Sequence, residues 1–235
     1  MKSISIVAFA AAVLVSGGAF AADLQIPATP DKAMAMAVPS TWDGFYAGVN
    51  AGYGWSNRTG TSDISGGGPT VGAWNYNLGG GLIGAQAGFN YELGSNFVVG
   101  VQVDADVANI NGSDVGQVTG GGPGTYNWLA TATAKLGYAA DNFLVYVDGG
   151  YALAGFNFNG TVGGCNFSQT DGGFAAGVGA SYKMTDNVSL DLNYNHVWFQ
   201  NATSACTFGG FLPLDIHDAI GADVVKLGVN YKFGG

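Results

Sequence analysis

Val225-Lys226-Leu227-Gly228-Val229-Asn230-Tyr231-Lys232-Phe233 carries an apolar or aromatic residue at every second position and closes on an aromatic. A period of two belongs to a strand with two unlike faces. Val225, Leu227, Val229, Tyr231 and Phe233 share one face. Lys226, Gly228, Asn230 and Lys232 share the other. In a soluble sheet the aromatic row would pack on a core. In a membrane barrel it would face lipid, and the lysines would line the lumen.

The same alternation recurs upstream. Runs over 44–55, 82–92, 97–108, 128–138, 143–153, 172–182 and 188–198, with 225–233, make eight strands. The connections alternate in length. Those at 93–96, 139–142 and 183–187 are tight, and the others run well over ten residues rich in Gly, Asn, Ser and Thr. Short turns at one end and long loops at the other are the pattern of an outer-membrane barrel. The fold class read from this is all-β: an eight-stranded antiparallel transmembrane up-and-down β-barrel.

The aromatics test this independently. With strand direction alternating from a periplasmic start, the outward aromatics fall at two heights. Phe45, Tyr91, Tyr138, Tyr182, Tyr231 and Phe233 lie near the turns, and Trp55, Trp128, Tyr151 and Trp198 near the loops. These are the places of two interfacial girdles. Charged residues avoid the middle of the outward face.

Composition agrees. Only 10% of residues are charged and the mean hydropathy is +0.22, whereas soluble domains carry about 25% charge. With 41 glycines and Glu92 as the one glutamate, long helices have little support. The net charge of −9 argues against nucleic-acid partners, which need basic stripes.

The N-terminus reads as an export signal over 1–21: the positive Met1-Lys2, an apolar run from Ile4 to Val15, and a small-x-small site at Ala19-Phe20-Ala21. Residues 22–41, with Pro27, Pro30 and Pro39, read as a flexible periplasmic lead-in, leaving 42–235 as the barrel.

The inward face collects Gln86, Gln102, Asp104, Asp106, Lys135, Tyr146, Asp148, Asp191, Asn193, Lys226 and Lys232. An eight-stranded barrel is just wide enough for side chains to fill. A hydrogen-bonded plug is one reading, with Lys135 near Asp104 or Asp148. A narrow polar pore is the other, since many inward glycines leave room for water. Asp104 and Asp106 lack third and fourth ligands for a metal, and no cofactor is implied. Cys165 and Cys206 fall in outer loops on an oxidising export route and are expected to form a disulfide. Closing a loop of about 40 residues would contribute roughly 4 kcal/mol in the chain-entropy description.

Two motifs carry no chemistry. Gly79-x-Gly81-x-x-Gly84 leads into a strand rather than a helix, so it is not a nucleotide site. His196 falls outward near the loop end and His217 in the last loop. Neither has both a positioned serine and an acid, so no enzyme activity is expected.

Trp42-Asp43-Gly44-Phe45-Tyr46-Ala47-Gly48-Val49-Asn50-Ala51-Gly52-Tyr53-Gly54-Trp55 resembles the first strand of alphaproteobacterial outer-membrane proteins, the OmpA-like, porin-family β-barrel surface antigens. Ala21-Ala22-Asp23-Leu24 is similar to their post-signal start, Leu136-Gly137-Tyr138 to the end of their fourth strand, and Gly228-Val229-Asn230-Tyr231-Lys232-Phe233 to their closing strand. The chain departs in Gly234-Gly235 beyond the last aromatic, in Thr133 and Lys135 where the family often has two arginines, and in a lead-in richer in Ala and Met.

The resemblance implies a Gram-negative outer-membrane location. Lipid, lipopolysaccharide and the outer-membrane assembly machinery are the implied partners. The role expected is envelope integrity and surface display. A narrow channel for small solutes is one alternative. Haemin or host-ligand binding by the loops is another, and Trp74, Tyr76, Phe156, Phe158, Phe167 and Phe208 are the aromatics that would serve it.

Overall fold

Alternating sequence makes two-faced strands, and tight polar turns make them antiparallel neighbours. The computed structural model of the chain describes residues 42–93, 96–112, 124–159, 166–200, 202–208 and 212–233. The expected signal and lead-in, Cys165 and Gly234-Gly235 lie outside them. The elements are β1 (Gly44–Ile64), β2 (Thr70–Leu93), β3 (Phe97–Gly112), β4 (Gly124–Ala140), β5 (Phe143–Asn159), β6 (Asn166–Lys183), β7 (Val188–Phe199), β8 (Ala202–Phe208) and β9 (Leu212–Phe233). Each barrel strand pairs with its neighbour, and β9 returns to β1 from Phe45↔Phe233 to Ile64↔Leu214. The result is a closed, eight-stranded antiparallel barrel made of β1 to β7 and β9. The short β8 pairs along the loop-side part of β9, Ala202↔Asp218 to Phe208↔Leu212.

The turns fall where the sequence places them. Asn96 and Asp141 adopt positive φ, 68° and 51°, a conformation Asn and Asp tolerate better than most residues. The Thr185 hydroxyl accepts from the Val188 backbone N–H at 3.0 Å in the third turn. Adjacent turns are tied together: Ala139 N donates to Asn96 O at 2.7 Å, Lys183 N to Asn142 O at 2.8 Å and Lys232 N to Asn187 O at 2.7 Å.

The loop end differs from expectation. The connection between the first two strands, expected to run well over ten residues, is the short turn 65–69, because β1 and β2 continue pairing up to Asp63↔Thr70. Strands β6 and β9 likewise begin earlier than expected, at Asn166 and Leu212. Gly, Asn and Thr stretches that look like loop by composition pair with each other there. Pairing satisfies their backbone groups, and the lost alternation reflects a ribbon that rises past the barrel wall.

Among the described residues, side chains fill the bore at two heights. Near the turns, Trp42, Val98, Ala139, Leu144 and Tyr146 form an apolar layer. Near the loops, Leu78, Ile110, Tyr126, Phe156, Val197, Phe199 and their neighbours form a second. A register shift between Val107 and Ile110 and between Tyr126 and Trp128 turns Tyr126 inward while Trp128 stays outward. Tyr126 then lies 5.0 Å from the Phe156 ring and stacks on Phe199 at 5.8 Å. Phe156 is 0% exposed. Truncating Phe156→Ala should therefore cost about 3–5 kcal/mol, read as a lowered denaturant midpoint in vesicles by the boiled-versus-unboiled gel shift of the folded barrel.

Candidate functional site in the barrel lumen

Between the two apolar layers lies a belt of buried polar side chains, all on the inward parity of their strands. Its strongest contact crosses the lumen. Lys226 on β9 reaches Asp104 on β3 at 2.8 Å and Asp106 at 3.5 Å. Asp104 also accepts from Thr131 at 3.1 Å and from Gln102. Gln102 Oε1 in turn accepts from the Tyr46 hydroxyl at 2.7 Å and from Lys135. Lys135 thus meets the carboxamide of Gln102 and stands 4.3 Å from the centroid of the Tyr146 ring. Asp148, its register partner, accepts instead from Asn195 at 3.2 Å and Asn193 at 3.5 Å. Asp191 accepts from Tyr146 at 3.0 Å and from Ser181. Gln86 links Asn50 at 3.2 Å to Asn230 at 2.7 Å.

Ten of the eleven inward residues singled out in the sequence lie buried in this belt or at its edge. Lys232 stands apart, half-buried at the turn-side mouth beside Lys183 and Asn187. Tyr46, Asn50, Thr131, Ser181 and Asn195 are members that the sequence reading did not single out. The signal was present, since each has the inward parity of its strand.

The inward glycines do not leave room for water. A Cβ at Gly179 would overlap the Tyr146 ring, one at Gly88 the Tyr46 hydroxyl, and one at Gly84 the Asp106 carboxylate. The glycines are seats into which larger side chains fold from neighbouring strands.

Outside the barrel, Phe45, Trp55, Tyr91, Trp128, Tyr138, Tyr151, Tyr182, Trp198, Tyr231 and Phe233 all expose their rings. Phe45, Tyr91, Tyr138, Tyr182, Tyr231 and Phe233 stand at the turn end of their strands, and the other four toward the loop end. Among the six aromatics assigned to ligand-binding loops, Phe156 is corrected: it is core, because the strand continues beyond its expected end. The side chains of Trp74, Tyr76, Phe158, Phe167 and Phe208 lie outside the described residues, as does the expected Cys165–Cys206 pair.

A buried ion pair that loses one partner leaves an uncompensated charge. Lys226→Met should destabilise the barrel by about 3–5 kcal/mol. Adding Asp104→Asn and Asp106→Asn to Lys226→Met should restore most of that loss, because the orphaned charges go too. Denaturant unfolding in vesicles of the three-residue variant beside the single one checks both.

Comparison with known proteins agrees with this architecture. A family model described as outer membrane protein beta-barrel domain matches residues 7–233. The chain is 27% identical over 246 residues to a 31 kDa outer-membrane immunogenic protein of Brucella melitensis, covering 99% of this chain and 100% of that one. It is 27% identical to a 22 kDa outer membrane protein of Rhizobium leguminosarum, covering 82% and 79%. Among solved structures, the outer membrane protein OprG of Pseudomonas aeruginosa shares the fold, with a TM-score of 0.53 at 11% identity over 82% of this chain and 97% of that one. The match spans nearly the whole chain, which belongs to the outer membrane protein β-barrel domain family and is located in the outer membrane of a Gram-negative bacterium.

Proposed function

We propose that the protein is a non-conducting, non-catalytic barrel that supports the envelope and displays its outer hairpins at the cell surface. The observation that carries this reading is the filled lumen. A channel needs a continuous wet path, but the loop side of the polar belt is filled by Phe156, Tyr126 and Phe199, while at the turn side Trp42, Val98 and Leu144 narrow a pocket that reaches Lys135 and Asp191. Water inside an eight-stranded barrel competes with side chains for the same space, and here side chains occupy it.

Several features support the anchoring half of this reading. The two heights of outward aromatics suit the two interfaces of a bilayer. The ends of β1 and β9 suit recognition of a closing strand by the assembly machinery. That the Brucella relatives are named immunogenic supports surface exposure of the outer hairpins. The reading assigns 1–21 to a cleaved export signal and 22–41 to a periplasmic lead-in. It also links Cys165 to Cys206 across two outer hairpins.

Among the described residues, no serine or cysteine nucleophile is in register with a histidine–acid pair. His196 and Asp223 form a close pair on the outer wall, at 2.7 Å. The residues in register with them on the neighbouring strands are Ala176 and Trp55, and His196 looks across to Gly221. None of these offers a hydroxyl or thiol to attack an ester, and the Tyr194 hydroxyl beside the pair donates to Asp223 rather than to His196.

Planar-bilayer recording of the refolded full-length mature protein tests the proposal. The expected trace is flat. Reproducible single-channel steps that vanish on Phe156→Trp, which would tighten the loop-side cap further, would overturn it in favour of a narrow pore.

A further inference from the structure

One polar cluster points away from the lumen. On the outer wall, Asp223 Oδ1 accepts from the Tyr194 hydroxyl at 2.6 Å and meets His196 Nδ1 at 2.7 Å. Aromatic rings enclose this centre. Trp55 stacks beside Tyr194 at 6.4 Å, and Trp198 meets the His196 ring edge-on at 4.5 Å. The register explains the assembly: Asp223 lies between His196 of β7 and Trp55 of β1. Gly221, two residues along β9, leaves an open recess at the His196 ring, whose Cε1 and Nε2 are 3.5 Å from where its Cβ would be.

Height gives the cluster its meaning. Asp223 lies ten positions from Phe233 along β9. At about 3.3 Å per residue and a tilt of about 40°, that is about 25 Å, the height of the apolar band of such a barrel. The cluster therefore sits at the outer edge of the band, where acyl chains give way to headgroups. In the outer leaflet of this membrane those headgroups are acylated sugars.

We propose that Trp55, Tyr194, His196, Trp198 and Asp223 form a binding site for the sugar headgroup of an outer-leaflet glycolipid. Both donors within the cluster use Oδ1 of Asp223, which leaves Oδ2 open as an acceptor among the described residues. His196 Nε2 opens toward the Gly221 recess. A sugar ring offers hydroxyl and amide N–H donors to such a carboxylate and apolar C–H faces to the flanking indoles. A simple lipid-facing aromatic belt would not need a carboxylate at all. Among the described residues no lysine or arginine joins the cluster, and its carboxylate repels a phosphate while accepting from sugar hydroxyls, so the sugar is the recognised part. The site rests only on the outer-membrane placement and holds whether or not the lumen conducts.

The test is lipid retention by the refolded full-length mature protein, read by native mass spectrometry from mixed micelles. The probes are hexa-acylated lipid A, the same lipid A stripped of its phosphates, and phosphatidylglycerol. The wild type should retain both lipid A forms at least about tenfold over phosphatidylglycerol. Asp223→Asn and His196→Gln should each lower that preference about tenfold, a loss near 1.4 kcal/mol. Phosphatidylglycerol retention should not change. Folding of each variant is checked by the gel shift, and Trp198→Leu serves if either polar variant fails to fold. Equal retention of lipid A by wild type and folded variants overturns the proposal. So does equal retention of phosphatidylglycerol, which would mean general lipid adhesion. Loss of retention on removing the phosphates overturns it as well.

Discussion

Pairing of β1 with β9, from Phe45↔Phe233 to Ile64↔Leu214, leaves no barrel strand with an open edge. In hydrocarbon an unsatisfied backbone group costs several kcal/mol and no water is present to relieve it. The closing pair is thus the constraint on which everything else depends. Closure decides that the outward parity must be apolar along the membrane height. It also decides that the inward parity, confined to a narrow bore, must be filled and satisfied from within.

The filling follows from charge placement. Lys135, Lys226, Asp104, Asp106, Asp148 and Asp191 are all buried, and buried charges are tolerated only when paired and hydrogen-bonded. Amides and hydroxyls complete the pairing: Gln102 lies between Lys135 and Asp104, and Asn193 and Asn195 serve Asp148. The apolar layers flank the belt, and burial in a low-dielectric surrounding strengthens each of these contacts. The loop-side layer of Tyr126, Phe156 and Phe199 fills the bore above the belt.

Strand number, direction, turn positions and the lipid-facing set were legible in the sequence, because a period of two assigns each residue in a strand to a face. The polar lumen set was legible for the same reason. Three things were not. Hairpins beyond the wall lose their alternation, so β1 past Trp55 and β2 before Leu82 read as loop. Tyr126 lay before the expected start of its strand, and the bulge near Trp128 changes the parity, so the alternation did not show it as part of the loop-side apolar layer. Asp223 was hidden because it precedes the clear alternation of 225–233, although β9 begins at Leu212; extending the alternation back from Val225 puts it outward. Glycines also misled in a specific way. Sequence shows that they are small, but not that Tyr146, Tyr46 and Asp106 fold over Gly179, Gly88 and Gly84.

Register in such a barrel needs two separate controls. A slip of one residue moves Lys226 and Asn230 to the lipid face and Tyr231 into the lumen, and a lysine in the midplane costs about 2–4 kcal/mol. Alternation alone therefore excludes odd slips. A slip of two keeps every face correct and leaves the apolar count unchanged, so alternation is blind to it. What distinguishes the even registers is contacts between specific inward side chains. Gln86 reaches Asn50 on β1 and Asn230 on β9, and Lys226 of β9 reaches Asp104 across on β3. Shifting β9 by two against β1 would carry Lys226 along the bore and bring a different partner to Gln86. The polar belt is in this sense the part of the lumen that distinguishes one closed barrel from its sheared alternatives, which explains why charges persist where hydrocarbon would also fill the space.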